Sequence, residues 1–226
     1  MRRVMEKSYI GCYWGDRQES ATEAASRLQA TLDGIRDVSP ALTDWFEKGD
    51  SAQSRALVPT DVEGLTRLVE QGAHRTDFGG EVMNDLGFRV GLWNGQSEES
   101  ASSLTTTVGL HAGDPDLSNH VLLRLPGGQG FSATLIDRLV EIWEPDWATW
   151  TTRSLRRAQG QAFRESVGWI TYFRSADLAE PPAGVVARPM AGGTTITFDK
   201  PFADVTPEDA VQVQTWLNAQ GVLRPL

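Results

Sequence analysis

The side chains that could do chemistry in this chain are scattered rather than gathered into a motif. One cysteine, three histidines and 30 acidic residues are the raw material. Cys12 sits in a strand-like run between Gly11 and Tyr13 with no base nearby in sequence, so it reads as a small buried hydrophobe and not a nucleophile. His74, His111 and His120 lack metal-ligand spacing. The densest local cluster is His111 with Asp114 and Asp116, and no metal is expected there. Gly127-Gly128-Gln129-Gly130 precedes a helix but lacks both phosphate-loop spacings, so it reads as a strand-to-helix loop. Asp77-Phe78-Gly79-Gly80 reads as a turn, because the other parts of a kinase are missing. Pro145-Asp146 would open a nuclease signature, but that signature needs an acid two residues before a lysine, and Met5, Phe46 and Phe198 hold those places. No catalytic residue and no cofactor is expected. A carboxylate pair set by the fold, as in a glycosidase, stays open as a hydrolase alternative.

Charge narrows the partners. The net charge is −9, with only Lys7, Lys48 and Lys200 as lysines. Phosphate binding needs clustered cations, so direct nucleic-acid binding is not expected. Between Arg89 and Arg124 there is no Lys or Arg, while Glu98, Glu99, Asp114 and Asp116 lie there. Such a stretch could steer a basic partner. Arg153, Arg156, Arg157 and Arg164 cluster near one acid, Glu165, and read as a solvated helix face. No run approaches the length of a membrane span, and the basic start lacks a signal-peptide apolar core, so no membrane partner and a cytoplasmic location are expected. A single cysteine fits a reducing compartment.

The elements that must position these groups follow from periodicity. A strand is predicted over 6–14. A helix follows over about 21–36, opened by a Ser20/Glu23 capping box. Thr60 and Glu63 suggest a second capping box for a short helix ending before Gly72. Strands are expected over 83–125, where Leu86, Phe88, Val90 and Leu92 alternate, as do Val121, Leu123 and Leu125. A helix from near Ser132 stops at Pro145. Strands near 147–152, 167–173, 184–189 and 194–199 lead to a last helix capped by Thr206 with Pro207 behind it. This is α+β: a mainly antiparallel or mixed sheet with about four helices, in one domain spanning 1–226. Residues 83–144 and 147–220 each read as strands followed by one helix, which suggests two β-meander-plus-helix halves. Eight tryptophans punctuate the chain. Trp143, Trp169 and Trp216 are expected in the core. Trp14, Trp45, Trp93, Trp147 and Trp150 fall at turns or element ends and are expected to wedge elements together.

Taken in order, the motifs resemble the immunity protein 52 family of bacterial polymorphic toxin systems. The resemblance runs through Tyr9-Ile10-Gly11-Cys12-Tyr13-Trp14-Gly15-Asp16-Arg17, Trp45-Phe46-Glu47-Lys48-Gly49 and Leu86-Gly87-Phe88 with Leu92-Trp93-Asn94-Gly95. It continues through Asn119-His120-Val121, Trp143-Glu144-Pro145-Asp146-Trp147, Val167-Gly168-Trp169-Ile170-Thr171-Tyr172 and Gly221-Val222-Leu223. The four residues before Met5 lie outside it. The resemblance implies a non-enzymatic cytoplasmic protein that binds and neutralises a cognate secreted toxin encoded nearby. In that family the toxin is often a restriction-endonuclease-fold nuclease delivered by contact-dependent or type VI secretion. An acidic inhibitor suits a nuclease cleft that is basic because it holds phosphate. The toxin-binding candidates are Glu98, Glu99, Asp114 and Asp116, with Asp16 and Asp146 behind them. A homodimer is compatible with this reading. A protein-binding module unrelated to toxins is the other alternative.

Overall fold

The computed structural model describes residues 6–39, 42–48, 56–97, 99–127, 130–160, 162–174 and 178–225. Among them the chain runs β1 (Ser8–Trp14), α1 (Ala21–Val38), β2 (Phe46–Glu47), α2 (Val62–Gln71), β3 (Phe88–Trp93), β4 (Ser103–Val108) and β5 (Asn119–Leu125). It continues through α3 (Thr134–Trp143), β6 (Trp147–Thr152), α4 (Arg153–Ala158), β7 (Ile170–Arg174), β8 (Val185–Met190), β9 (Gly193–Phe198) and α5 (Pro207–Ala219). The fold is α+β. Nine strands form one sheet in the order β2-β3-β4-β5-β1-β6-β7-β9-β8, and every pairing is antiparallel. The first strand is therefore the central one, with the later strands added on both sides. The two predicted halves become the two wings of this sheet. The β3-β4-β5 wing is a true meander followed by α3. The other wing is not, because β9 turns back to pair with β7 and leaves β8 at the edge.

Alternation assigns the faces. Ile10, Cys12 and Trp14 of β1 point to one side with Leu104 and Val108, Val121, Leu123 and Leu125, and Ala148 and Trp150. That face is covered by α1, α2 and α3, through Leu28, Ile35, Leu65, Val69, Leu135 and Leu139 among others. On the opposite face Trp147, Phe173, Ile196 and Phe198 pack under Val213 and Leu217 of α5. The sheet is thus sandwiched by helices only over part of its second face.

Local sequence explains most boundaries. At α1, the Ser20 backbone N–H donates to Glu23 Oε2 at 2.8 Å and Glu23 N–H donates to Ser20 Oγ at 3.2 Å, which satisfies two free helix-start donors. At α2 the expected Thr60/Glu63 box does not form. Asp61, one residue later, caps the helix by accepting from Gly64 N–H at 2.8 Å. Glu63 instead pairs with Arg67 one turn on, at 2.7 Å. Both Asp and Thr cap well, and the carboxylate next to the first turn also complements the helix dipole. Glu144 ends α3 with φ 46°, just before Pro145. At α5, Thr206 and Asp209 form a full capping box. The Arg-rich stretch forms the short helix α4, a fifth helix that periodicity did not reveal. Pro40, the sequence stop expected after α1, lies outside the described residues.

Most tryptophans are placed as expected, and Trp169 and Trp216 are not. Trp143 is fully buried, stacks on Trp14 at 5.6 Å and donates its indole N–H to Thr31 Oγ1 at 2.8 Å. Trp14, Trp45, Trp147 and Trp150, placed at turns or element ends by sequence, are all buried. Trp169 and Trp216, expected in the core, are only half-buried at the margin of the α5 layer. A ring at an element end can still be buried when other elements cover it, as Trp147 is in the cluster under α5 and Trp150 in the cluster on the opposite face. Gly87 shows why its motif is fixed: its φ is +64°, and a Cβ would lie 2.2 Å from the Val108 carbonyl oxygen.

Candidate functional site

A cleft of about 970 Å³ opens at the sheet end where β1 finishes and β5 and β6 begin. Tyr13 and Trp147, neighbours across the β1–β6 ladder, stack at 4.4 Å and form its floor with His120. The turn after β1 supplies Asp16 on one side. The β4–β5 connection supplies Asp114 and Asp116. Arg156 of α4, Arg164 and Arg224 form the facing wall. Burial pushes the Tyr13 phenol well above its usual range and lowers His120, with Arg89 adding to the latter and a Ser118 hydrogen bond opposing it. The floor is therefore neutral and amphipathic at neutral pH, between acidic and basic walls.

Each acid here is already engaged. Asp16 Oδ2 accepts from Gly113 N–H at 2.7 Å, tying the β4–β5 connection to the β1 turn. Asp114 Oδ1 accepts from Asp116 N–H at 2.9 Å. Asp116 pairs with Arg164 at 3.1 Å. Behind them Asn119, fully buried, donates to Gly15 and Leu110 carbonyls and accepts from Leu110 N–H, all within 2.9 Å. Asn119 is the residue that fixes this connection, and its motif was the sequence signal for it. Asp146 is close by, accepting from Gly15 N–H at 3.0 Å. Glu99, in contrast, lies in the β3–β4 connection at the opposite end of the sheet, as the strand registers require. Glu98 is outside the described residues. Four of the six candidate acids thus share one end of the sheet, and three share the cleft.

The arginine stretch divides. Arg153, Arg156 and Arg157 are exposed on α4, as a solvated helix face would be. Glu165 is buried and takes the Arg224 backbone N–H at 2.8 Å and its guanidinium as well. Sequence reasoning missed Arg224, which is far from Glu165 in the chain and carries no local signal. His111 Nδ1 lies 2.8 Å from the Gly109 carbonyl oxygen and does not gather Asp114 and Asp116 about a common point. Among the described residues no group of three or more His, Cys, Asp or Glu side chains is arranged to hold a metal. Burial drives the Cys12 thiol far above its usual range, so it is protonated and inert.

On the covered face, Arg17 and Arg27 share the buried carboxylate of Glu19, at 3.3 and 3.0 Å. Both also donate to the last carbonyls of α3, Trp143 and Ile142, where cations complement the helix dipole. Burial raises the Glu19 pKa more than the two arginines lower it. This network fastens α3 to the turn that carries Asp16.

Beyond the cleft floor the second face of the sheet continues across β1, β5, β4 and β3 with no described helix packed on it. Three cross-strand rows can be read from the registers. The first is Tyr13, His120, Thr107 and Arg89. The second is Gly11, Leu122, Thr105 and Gly91, with the Tyr13 ring lying over Gly11 and the Lys48 stem over Gly91. The third is Tyr9, Arg124, Ser103, Trp93 and Phe46. Arg89 and Arg124 are exposed and the aromatic rings half-buried.

A sequence model of the family described as Immunity protein 52 matches residues 6–226. No curated protein matches the chain. Among solved structures, the chain is similar to the Pseudomonas aeruginosa T6SS protein PA0821, at TM-score 0.56 and 10% identity. That match covers 99% of this chain and 75% of the other. At such low identity the likeness is one of fold. No helix among the described residues is long and apolar enough to cross a membrane.

Proposed function

The chain belongs to the immunity protein 52 family, and on that footing we propose that it binds and neutralises a cognate secreted toxin in the cytoplasm of the producing cell. The toxin is encoded nearby and delivered by contact-dependent or type VI secretion. Inhibition is steric and electrostatic: the protein covers the toxin's active-site cleft and performs no chemistry of its own. The observation that carries this reading is the family match across nearly the whole chain.

The toxin class that fits is a nuclease of the restriction-endonuclease fold. A nuclease cleft must attract phosphate and is therefore lined with cations. A partner of net charge −9 is drawn to such a cleft. Asp16, Asp114, Asp116 and Asp146 supply carboxylates at one sheet end, with Glu98 and Glu99 as further candidates. A protective complex needs an interface of about 1,200–2,000 Å² with a few aromatic or arginine anchors. Co-expression tests the reading. The polypeptide encoded beside this chain should be toxic alone and tolerated when the two are made together. Equal toxicity in both cases would discard it.

A further inference from the structure

The open half of the second sheet face is a surface of unusual composition for this chain. Its three rows hold Lys48, Arg89 and Arg124 and, among the described residues, no carboxylate. None of these three cations forms an ion pair with a described residue, a property they share with the exposed α4 arginines Arg153, Arg156 and Arg157, but here it falls on a sheet face that also presents aromatic rings. The cations also sense one another: burial, then Arg124 and Arg89, lower the Lys48 pKa. A molecule of net charge −9 thus keeps three cations on one ordered sheet face, with Arg89 and Arg124 each acting on Lys48, between half-buried Tyr9, Tyr13 and Trp93. An anionic partner would relieve the repulsion.

We propose that this open half-sheet is the surface on which the toxin docks, through a carboxylate-bearing patch of the toxin that sits over Lys48, Arg89 and Arg124. The proposal rests on the toxin-neutralising reading and says where contact is made. Aromatic and arginine side chains are the usual anchors of protein interfaces, and here the sheet registers hold them in place before binding. The surface runs into the cleft through Tyr13, His120 and Leu122, so the acids Asp16, Asp114 and Asp116 lie at its margin. The whole surface is basic in the middle and acidic at one edge. A nuclease that holds metal ions with carboxylates inside a cation-lined cleft is the reverse: acidic in the middle and basic around it. That complementarity selects a protein partner over a nucleic acid, which would meet the acidic edge and the net negative charge.

The test uses the full chain and the neighbouring toxin polypeptide in a catalytically inactive form. The double variant Arg89→Glu with Arg124→Glu should melt as the parent does and bind the toxin at least about 100-fold more weakly. Its residual binding should also depend less steeply on salt. Unchanged affinity in a folded double variant overturns the proposal. So does unchanged affinity accompanied by loss of self-association in sedimentation, which would make the face a contact between copies of this chain. Tighter retention of a single-stranded oligonucleotide by the parent than of the toxin would overturn it as well. If the parent itself neither binds nor neutralises the toxin, the broader functional reading has failed rather than this docking surface.

Discussion

The second face of the sheet is built twice, from the same strand alternation but with opposite results. Over β6, β7 and β9 the outward positions include Trp147, Phe173, Ile196 and Phe198, with the buried Thr149, Thr151 and Thr171 among them, and α5 closes over the apolar ones with Val213 and Leu217. Over β1, β5, β4 and β3 the equivalent positions are mainly tyrosine, threonine, histidine and arginine, with Leu122 and Trp93 as the large apolar exceptions, and no described helix covers them. Period-2 alternation says only which residues share a face. What decides whether the face becomes core or surface is the residue type at those positions. Apolar rows demand a covering helix, because each buried side chain of that size is worth about 1.5–3 kcal/mol. Rows of threonine and arginine can remain in contact with water until a partner arrives.

The comparison breaks most visibly at single apolar residues placed on each half. Leu217 of α5 is fully buried over the covered half. Leu217→Ala should cost about 2–5 kcal/mol, by lost transfer energy and by the cavity left. Leu122, in the middle row of the open half, is half-exposed. Leu122→Ala should cost less than about 1 kcal/mol. Chemical denaturation of the two variants reads the difference directly. Equal losses would mean that the open half is covered in solution.

A somewhat smaller effect is expected where the two halves meet. Asn119 holds the β4–β5 connection through two buried hydrogen bonds to Leu110 and a part-buried one to Gly15. Asn119→Ala leaves the Gly15 carbonyl and the Leu110 N–H without partners, while the Leu110 carbonyl keeps the Arg17 N–H, and should cost about 2–3 kcal/mol. Hydrogen exchange should also show faster opening at Leu110 and Gly113 with little change at Ile170 and Thr171. Protection lost equally in both wings would show that the cleft loop and the covered half form one cooperative unit.

Most of this architecture is legible from residue order, and the exceptions have physical causes. The helix starts at Ser20 and Thr206, the stop at Pro145, and the strands of both wings follow from capping and alternation. The Thr60 cap misleads because Asp61 beside it caps equally well and sequence cannot rank two good donors' partners. The helix α4 is only six residues long, too short for an apolar stripe to show. Trp169 and Trp216 mislead because alternation or an apolar stripe shows where a ring points but not how far another element covers it. The acids of the cleft were visible as types, but their gathering was not: Asp16 and Gly113 are joined only because β5 pairs with β1. Glu99 joins the same acidic stretch in sequence yet ends at the other end of the sheet, since one strand, β4, separates it from Asp114. The open face was hidden for a related reason. Lys48 follows β2, Arg89 lies on β3 and Arg124 on β5, so they never appear as a charge run.

The lid of the covered half gives a pH-dependent test. Asp209 caps α5 at Thr206 and pairs with Lys200 at 2.5 Å. Its partial burial raises its pKa, but the hydrogen bonds from Lys200 and Thr206 outweigh this, so the net shift is downward from 3.8. A depressed carboxyl pKa contributes stability above the unfolded value, and that contribution is lost as the pH falls through the folded one. Asp209→Asn should therefore cost about 1 kcal/mol at pH 7. The gap between parent and variant should begin to shrink as the pH falls through about 3.8 and close only below the folded value, in urea melts run at pH 7 and at successively lower pH. A gap that persists in acid would assign the loss to packing of α5 rather than to its charged cap.

The smallest effect is the one that sharpens the comparison most. If the cations of the open half serve a partner and not the fold, neutralising them should leave stability almost untouched. Two influences oppose each other at Arg89. Lys48 repels it locally, while the net charge of −9 attracts it at longer range. Both act through water at an exposed site, where ordinary salt screens charges beyond about 8–10 Å. Arg89→Gln should thus shift the unfolding free energy by no more than about 0.5 kcal/mol in either direction. The shift should shrink further at high salt. A loss above about 1 kcal/mol would show that Arg89 is held by the fold itself. The open half would then be a structural surface like its covered neighbour, differing in polarity but not in purpose.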